Sequence, residues 1–137
     1  MADWPTGRLL STASRVVEHA WYDALAALNL THAGLIVLHL LEAGPLPQVE
    51  IARTARVEAQ TMSRTIDRLE RSGYVTREPD AGDRRRRSVT RTDEGVRVFQ
   101  RARRIESELF PEVPDLAGFR STLLGIIRTD GNGSVRP

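Results

Sequence analysis

Polar side chains recur at helical spacing between Glu58 and Ser72, and their chemistry suits contact with nucleic-acid bases. At about 100° per residue, Met62, Ile66 and Leu69 form an apolar stripe, and amide, hydroxyl and guanidinium groups lie opposite it. The candidate contact residues are Gln60, Thr61, Ser63, Arg64 and Arg68. Guanidinium groups pair with guanine and amide groups with adenine in the major groove, so the first four are predicted to read bases. Arg68, further along, is predicted to meet phosphate; the alternative is an ordinary solvated helix face.

A second cluster of chemically active residues is a run of four arginines, Arg84, Arg85, Arg86 and Arg87. The run follows a tight polar loop, Pro79–Asp83, and it lies between the strand-like segments Tyr74–Arg77 and Ser88–Thr90. Side chains alternate between the two faces of a strand, so not all four can reach one partner. We expect Arg84 and Arg85 to reach DNA from the tip, and Arg86 and Arg87 to meet phosphates or nearby acids. A solvated basic loop is the alternative.

Two carboxylates lie among these arginines and are expected to support the loop rather than contact DNA. Asp83 should pair with an arginine and fix the loop, because phosphate repels a carboxylate. Asp67 should pair with Arg64, Arg71 or an arginine of the two strand-like segments and the loop between them, together called the wing, which would lock the helix to the wing. The alternative for Asp67 is to accept a hydrogen bond from cytosine.

Helix, strand, arginine-tipped loop, strand and helix follow one another here, which is the layout of a winged helix. Other helices are predicted from apolar periodicity, N-caps and helix breakers. They are Thr6–Leu28, His32–Ala43 with Thr31 as its N-cap, Pro47–Arg53, a helix that Thr92 caps and Pro111 ends, and Asp115–Arg128. The sequence therefore predicts an α+β fold, mainly helical: a winged helix-turn-helix with N- and C-terminal dimerisation helices.

The predicted segments form one structural unit. We expect an N-terminal dimerisation helix in residues 1–30, a DNA-binding lobe in 31–95, C-terminal dimerisation helices in 96–129 and a disordered tail in 130–137. The first helix and the last two have long apolar stripes that one small core cannot bury together. Pairing with a second copy would cover them, since two-fold dimers are the commonest oligomers. The alternative is that these helices fold back on their own domain.

Charge is distributed unevenly along the chain. All 20 basic residues are arginine, and residues 53–104 contain 15 arginines and 8 acidic residues, a balance of +7, whereas the remainder has a balance of −5. Such clustering suits an anionic partner bound on one face. The absence of cysteine excludes disulfides and thiolate zinc sites. No membrane span and no signal peptide are expected, so a cytoplasmic location is predicted.

Histidine and aromatic residues suggest a different kind of site. His19, Trp21, Tyr22 and His39 could line a cleft for a small hydrophobic effector, although core packing explains the same residues. Metal ligands would be sparse, because His32 and His39 are seven residues apart and only Glu42 lies nearby. No phosphate loop or nucleophile motif occurs, so no cofactor, no metal and no enzymatic activity are expected.

The order of these motifs resembles that of the MarR-type transcriptional regulators. The segment Gln60–Arg77 is similar to the family's recognition helix and first wing strand, and Pro79–Arg85 to its wing, with an Asp-x-Arg core at Asp83 and Arg85. Thr92–Gly95 resembles the start of the helix after the wing, and Leu30–Thr31 the start of the second helix. The resemblance extends from about Arg8 to Leu124 and implies the winged-helix fold.

The resemblance also implies a function. It implies a homodimer that binds a pseudo-palindromic operator in double-stranded DNA and represses transcription until a small, often aromatic, molecule releases it. Arg91, where the family often has an aliphatic residue, and Ala33 and Gly34, near the implied ligand site, depart from the pattern. Three alternatives stay open: activation instead of repression, another winged-helix regulator family, and a winged helix whose basic wing contacts an acidic protein.

Overall fold

The computed structural model describes residues 1–129, and the predicted disordered tail, 130–137, lies outside them. In order, the elements are α1 (Thr6–Ala27), α2 (His32–Leu40), β1 (Leu46–Pro47), α3 (Gln48–Ala55), α4 (Ala59–Arg71), β2 (Val75–Pro79), β3 (Arg87–Arg91), α5 (Asp93–Leu109) and α6 (Leu116–Arg128). Helices dominate and the strands form one small sheet, so the predicted α+β, mainly helical winged-helix fold is confirmed.

Three helices begin where short polar side chains cap them. Thr31, Thr92 and Asp115 each accept a hydrogen bond from the backbone N–H three residues later, at 3.0 Å in every case. Such a cap satisfies one of the free N–H groups of the first helical turn and contributes about 1 kcal/mol. The starts of α2, α5 and α6 therefore agree with the sequence to within one residue.

The core lies under α4 and joins the helices to the sheet. Met62, Ile66 and Leu69 are at most 2% exposed, which confirms the predicted apolar stripe and fixes how α4 is rotated about its axis. These residues pack in one cluster with side chains from α1, α2, α3, α5 and both long strands. Gly73 follows α4 with a φ of 79°, a left-handed conformation that favours glycine and turns the chain into β2.

The sheet has three antiparallel strands, with β3 between β1 and β2. Leu46 pairs with Val89, and Val75 pairs with Arg91. The sequence did not predict β1, because two residues are too few to show alternation. Pro47 lies in this strand and is the N-cap of α3, whereas it was predicted to be the first residue of that helix. The two wing strands are each longer than predicted, and Tyr74 precedes β2.

The second helix is shorter than predicted. The α-helix ends at Leu40, and Leu41–Ala43 continues it as a 3-10 turn that Gly44 ends with a φ of 137°. No single helix among residues 1–129 is long and apolar enough to cross a membrane. Helix α1 meets the requirement only when it is taken together with α2 and the 3-10 turn, and this pair is bent by 72°.

The terminal helices expose much of their apolar surface. Only Leu25 is buried among the 22 residues of α1, and no residue of α6 is buried. Phe110 and Phe119 bring the end of α5 and α6 together, with ring centroids 5.9 Å apart. Exposed apolar side chains on the three terminal helices and the turn between the last two include Leu9, Val16, Val17, Leu109, Phe110, Leu116, Leu124, Ile126 and Ile127.

Candidate nucleic-acid interface

Helix α4 presents a polar face because its apolar stripe is buried. Arg56, at a φ of 55°, ends α3 and turns the chain toward α4, so that the two helices form a helix-turn-helix. On the outward face, Gln60, Thr61, Arg64 and Arg68 are exposed and Ser63 is half-buried. Among the described residues, the two arginines form no ion pair. Their guanidinium groups are thus free to bind an outside partner.

The wing consists of β2, β3 and the loop between them, and two aspartates shape this loop. Asp83 Oδ1 accepts a hydrogen bond from the backbone N–H of Arg85 at 3.0 Å, and Asp80 Oδ1 accepts one from Gly82 at 3.2 Å. These are local aspartate turns, in which a short side chain reaches the backbone two residues on. Asp83 therefore fixes the loop through the backbone amide of Arg85, and within residues 1–129 it does not form the expected ion pair with an arginine side chain.

The four wing arginines differ in their surroundings. Arg84 and Arg85 are exposed at the tip, whereas Arg86 is half-buried, with its guanidinium 3.8 Å from the carboxylate of Glu50 on α3. Strand β3 begins only at Arg87, so the predicted alternation of faces does not apply to the three arginines before it. The tip consequently carries two positive charges that no acidic group within residues 1–129 pairs with, and Arg86 ties the wing to α3.

Arg77 connects the wing to α4. Its side chain is 11% exposed, it pairs with Asp67 and with Glu70 at 3.2 Å, and it donates a hydrogen bond to Gln48 Oε1 on α3 at 3.4 Å. Asp67 thus pairs with an arginine of a wing strand rather than with Arg64 or Arg71. Pairing of Asp67 with a wing arginine was one of the predicted alternatives. That this arginine is Arg77, and that Glu70 and Gln48 also bind it, was not predicted, although two acids three residues apart on α4 could have indicated a buried cation opposite them.

Charge pairing shifts the pKa values within this cluster. The hydrogen bond from Arg77 lowers the pKa of the Glu70 carboxyl below its ordinary value. Burial lowers the pKa of the Arg77 guanidinium, but the hydrogen bonds to Glu70 and Asp67 outweigh it, so this pKa lies above its ordinary value. Both shifts favour the charged forms, and α4 and β2 are held together by an ion pair at neutral pH.

Acid should weaken this connection. The pKa of Glu70 is lower in the folded than in the unfolded chain, so its stabilising contribution is complete above the ordinary glutamate pKa and is lost as pH falls through the folded pKa. We expect Glu70→Gln to lower the urea midpoint slightly at about pH 7 and to have a smaller effect at about pH 3. Glu78→Gln, on β2 but outside these ion pairs, is the control. An equal effect of Glu70→Gln at both pH values would contradict the assignment.

A groove of about 520 Å³ lies between α3, α4 and the wing. Its walls bring the predicted contact residue Ser63 together with wing arginines and with residues of α3. The lining residues are Gln48, Val49, Ser63, Asp67, Arg77, Arg85, Arg86 and Arg87. Positive charge from the wing and hydrogen-bonding groups from α4 therefore face one open space. Such an arrangement can bind the phosphates and base edges of a nucleic acid together.

Within residues 1–129 of one copy, the four residues predicted to form an effector cleft do not line a common groove. His19 is exposed and lies 3.5 Å from Asp23, and Tyr22 is exposed and packs edge-on against His32. Trp21 lines a groove between α1, α5 and α6. His39 lines a different groove, between α2 and α5. Trp21 points in a different direction from its neighbour Tyr22 on α1, and His39 lies on α2, so the set is divided between separate surfaces.

The groove at His39 has an unusual electrostatic character. The rings of His39 and Phe99 lie 5.9 Å apart, and the guanidinium groups of Arg91 and Arg103 lie 5.5 and 5.9 Å from the Phe99 ring centroid. Arg91 also donates a hydrogen bond to the Leu38 carbonyl at 3.4 Å. Arg91 can replace an aliphatic residue here because its apolar stem packs inward. Its charged end is stabilised by the face of the Phe99 ring and by a carbonyl near the C-terminal end of α2. The groove thus combines aromatic surface with positive charge.

A helix-turn-helix followed by a basic wing defines a winged helix-turn-helix protein. A family model described as the MarR family matches residues 28–86. The HTH-type transcriptional regulator YwoH of Bacillus subtilis is 30% identical over 111 residues, which are 77% of this chain and 80% of YwoH. The chain belongs to the MarR family of transcriptional regulators, as the sequence predicted. These are DNA-binding transcription factors and not enzymes.

Two further comparisons concern a shorter stretch of sequence and the fold. The HTH-type transcriptional regulator YcgE of Bacillus subtilis is 43% identical over 47 residues, which are 34% of this chain and 30% of YcgE. The structure of a mutant of S. aureus MepR bound to an oligodeoxyribonucleotide is similar in fold, with a TM-score of 0.68 and 20% identity over 93% of this chain and 99% of MepR.

Proposed function

We propose that this protein is a homodimeric transcriptional repressor that binds a pseudo-palindromic operator in double-stranded DNA. The observation that carries the proposal is the groove in which Ser63 of α4 meets the wing arginines Arg85, Arg86 and Arg87. In this proposal, residues 31–95 bind DNA, while residues 1–30 and 96–129 dimerise. The MepR mutant, whose structure contains an oligodeoxyribonucleotide, supports the choice of nucleic acid as the partner.

Each contact residue has a role in the proposed complex. The first turns of α4 enter the major groove, where Gln60, Thr61, Ser63 and Arg64 read base edges and Arg68 binds phosphate. Arg84 and Arg85 reach the DNA backbone or minor groove from the tip, and Arg87 binds phosphate. Arg86 and Asp83 hold the wing, and the Arg77–Asp67 pair sets the angle between the wing and α4.

The proposed dimer explains the exposed apolar surface of the terminal helices. Leu116, Ile126 and Ile127 of α6 are 50%, 51% and 70% exposed, an arrangement that costs free energy in an isolated chain. Packing α1 and α6 against those of a second copy would remove this surface from water. It would also place two α4 helices in successive major grooves, about 34 Å apart.

Release by a small effector is the second part of the proposal. The groove lined by His39, Phe99 and Arg103 suits a small aromatic molecule with an anionic group. The end of α1 is tied to the DNA-binding lobe, because Asn29 donates to Ser72 Oγ at 2.8 Å and the Tyr74 hydroxyl donates to the Leu28 carbonyl at 2.6 Å. A ligand that moves the dimer helices would therefore also move α4. The size of this effect is set by the difference between the ligand's affinities for the DNA-binding arrangement and for the released arrangement.

Selection from a library of randomised duplexes tests the proposed DNA specificity. The purified protein is mixed with the library, bound duplexes are recovered, and the enriched sequences are read. We expect a pseudo-palindrome whose half-sites are centred about 10 base pairs apart, because two recognition helices related by a two-fold axis must enter successive major grooves. Enrichment of unrelated sequences, or of none, would contradict the proposal.

The wing arginines should govern affinity for any duplex. Arg85→Ala is expected to weaken binding to the enriched duplex and to an unrelated duplex alike, because Arg85 meets the sugar-phosphate backbone. It should also reduce the slope of log K against log salt by about one for each phosphate that is no longer neutralised. Arg15→Ala, which changes an exposed arginine on α1 away from α4 and the wing, is the matched control. Once sedimentation shows that this variant is dimeric, it should leave the slope unchanged. Weaker binding to the enriched duplex alone would assign Arg85 to base recognition instead.

A further inference from the structure

One apolar side chain lies in the otherwise polar groove between α3, α4 and the wing. Val49, in the first turn of α3, is 56% exposed and lines this groove together with Ser63 and Arg85. The buried side of the same helix is formed by Ile51 and Ala52. Val49 lies about 200° from Ile51 around the helix axis, so it cannot join the core without unwinding α3.

The polar neighbours of Val49 on α3 are already engaged within the protein. Glu50 pairs with Arg53 at 2.9 Å and with Arg86 at 3.8 Å. Gln48 accepts a hydrogen bond from Arg77. The two methyl groups of Val49 are therefore the part of the first turn of α3 that faces the groove without a partner among residues 1–129.

Among the base edges exposed in the major groove, the 5-methyl group of thymine is the apolar feature, and branched or small apolar side chains contact it. We propose that Val49 is a specificity-determining residue that contacts a thymine methyl group in each half-site. Helix α3 then adds one base preference to those read by α4. This inference rests on the proposed function, because it requires the groove to hold DNA.

Replacing thymine by uracil in the duplex enriched by selection tests the inference, since uracil lacks only the methyl group. Each thymine is replaced in turn, symmetrically in both half-sites, and binding is measured by fluorescence anisotropy. We expect one position at which uracil weakens binding about fourfold per half-site, which is the effect of burying one methyl group. This sensitivity should decrease in Val49→Ala, whose shorter side chain reaches the methyl group less well, and persist in Val49→Ile. Val49→Thr keeps the shape of the side chain but replaces one methyl group with a hydroxyl, so it should decrease the sensitivity without removing it.

The outcomes separate failure of this inference from failure of the proposed function. If selection enriches no duplex, the function is wrong and the inference falls with it. If a duplex is enriched but no thymine is sensitive to uracil, or if Val49→Ala has the same sensitivity as the wild type, the function stands and the role of Val49 is overturned. Thermal unfolding of each variant shows that it is folded under the binding conditions, so that weaker binding is not caused by unfolding.

Discussion

Replacing Ile127 with glutamate is expected to convert the protein from a dimer to a monomer and to lower its affinity for the operator at least about 100-fold. Ile127 is 70% exposed at the end of the apolar stripe of α6. In the proposed dimer this side chain is covered by the second copy, and a carboxylate there would be buried without a partner. The two linked DNA-binding lobes of a dimer bind two half-sites far more tightly than one lobe binds one half-site. A monomer loses this gain in affinity.

Ser121→Glu is the matched control for this experiment. It adds the same charge to the same helix, but Ser121 is exposed on the face of α6 opposite the apolar stripe. Sedimentation velocity measures the mass of each variant, and anisotropy measures its operator affinity. We expect Ser121→Glu to remain dimeric and to bind as the wild type does. If Ile127→Glu remains dimeric with full affinity, α6 does not form the interface in the way proposed.

The second large effect is expected at Arg64. Its guanidinium is exposed on the outward face of α4, and it forms no ion pair within residues 1–129. One bidentate contact with guanine contributes about 1–3 kcal/mol of discrimination, so Arg64→Ala should weaken operator binding about 5- to 150-fold for each half-site. Binding to a scrambled duplex should change much less, because base contacts contribute little to it.

Arg64→Lys distinguishes base recognition from charge alone. Lysine keeps the positive charge but lacks the planar fork of donors, so it should retain the salt dependence and only part of the operator preference. The operator and the scrambled duplex are titrated with the wild type, Arg64→Ala and Arg64→Lys at several salt concentrations. These titrations measure the operator preference and the salt dependence of each protein. An equal decrease in affinity for the two duplexes in Arg64→Ala would mean that Arg64 binds phosphate and that the assigned orientation of α4 in the groove is wrong.

Local chemistry explains why much of the fold could be predicted. Apolar spacing identified the buried stripe of α4, and caps such as Thr31 and Thr92 marked helix starts, because both signals act within a few residues. The same reasoning placed the wing between two strands. Each of these features depends on near neighbours in sequence, which a single sequence displays directly.

The unpredicted features depend on contacts between distant segments. Strand β1 exists because Leu46 and Pro47 pair with Val89 and Ser88 of β3, far along the chain. The buried position of Arg77 depends on how α4 packs on β2. Within residues 1–129 of one copy, His19 and His39 do not share a groove, because they lie on different helices and His39 faces α5. Pairing partners in three dimensions could therefore not be inferred from residue type alone.

The most direct test of sequence-specific DNA binding is fluorescence anisotropy of the purified protein on the DNA upstream of its own gene and on a scrambled duplex, across a series of salt concentrations. We predict tight binding to the upstream DNA, much weaker binding to the scrambled duplex, and a steep decrease of both affinities with salt. Equal, weak binding to both duplexes would contradict an operator at this position. No binding to either duplex at low salt would contradict DNA binding altogether and favour an acidic protein as the partner of the wing.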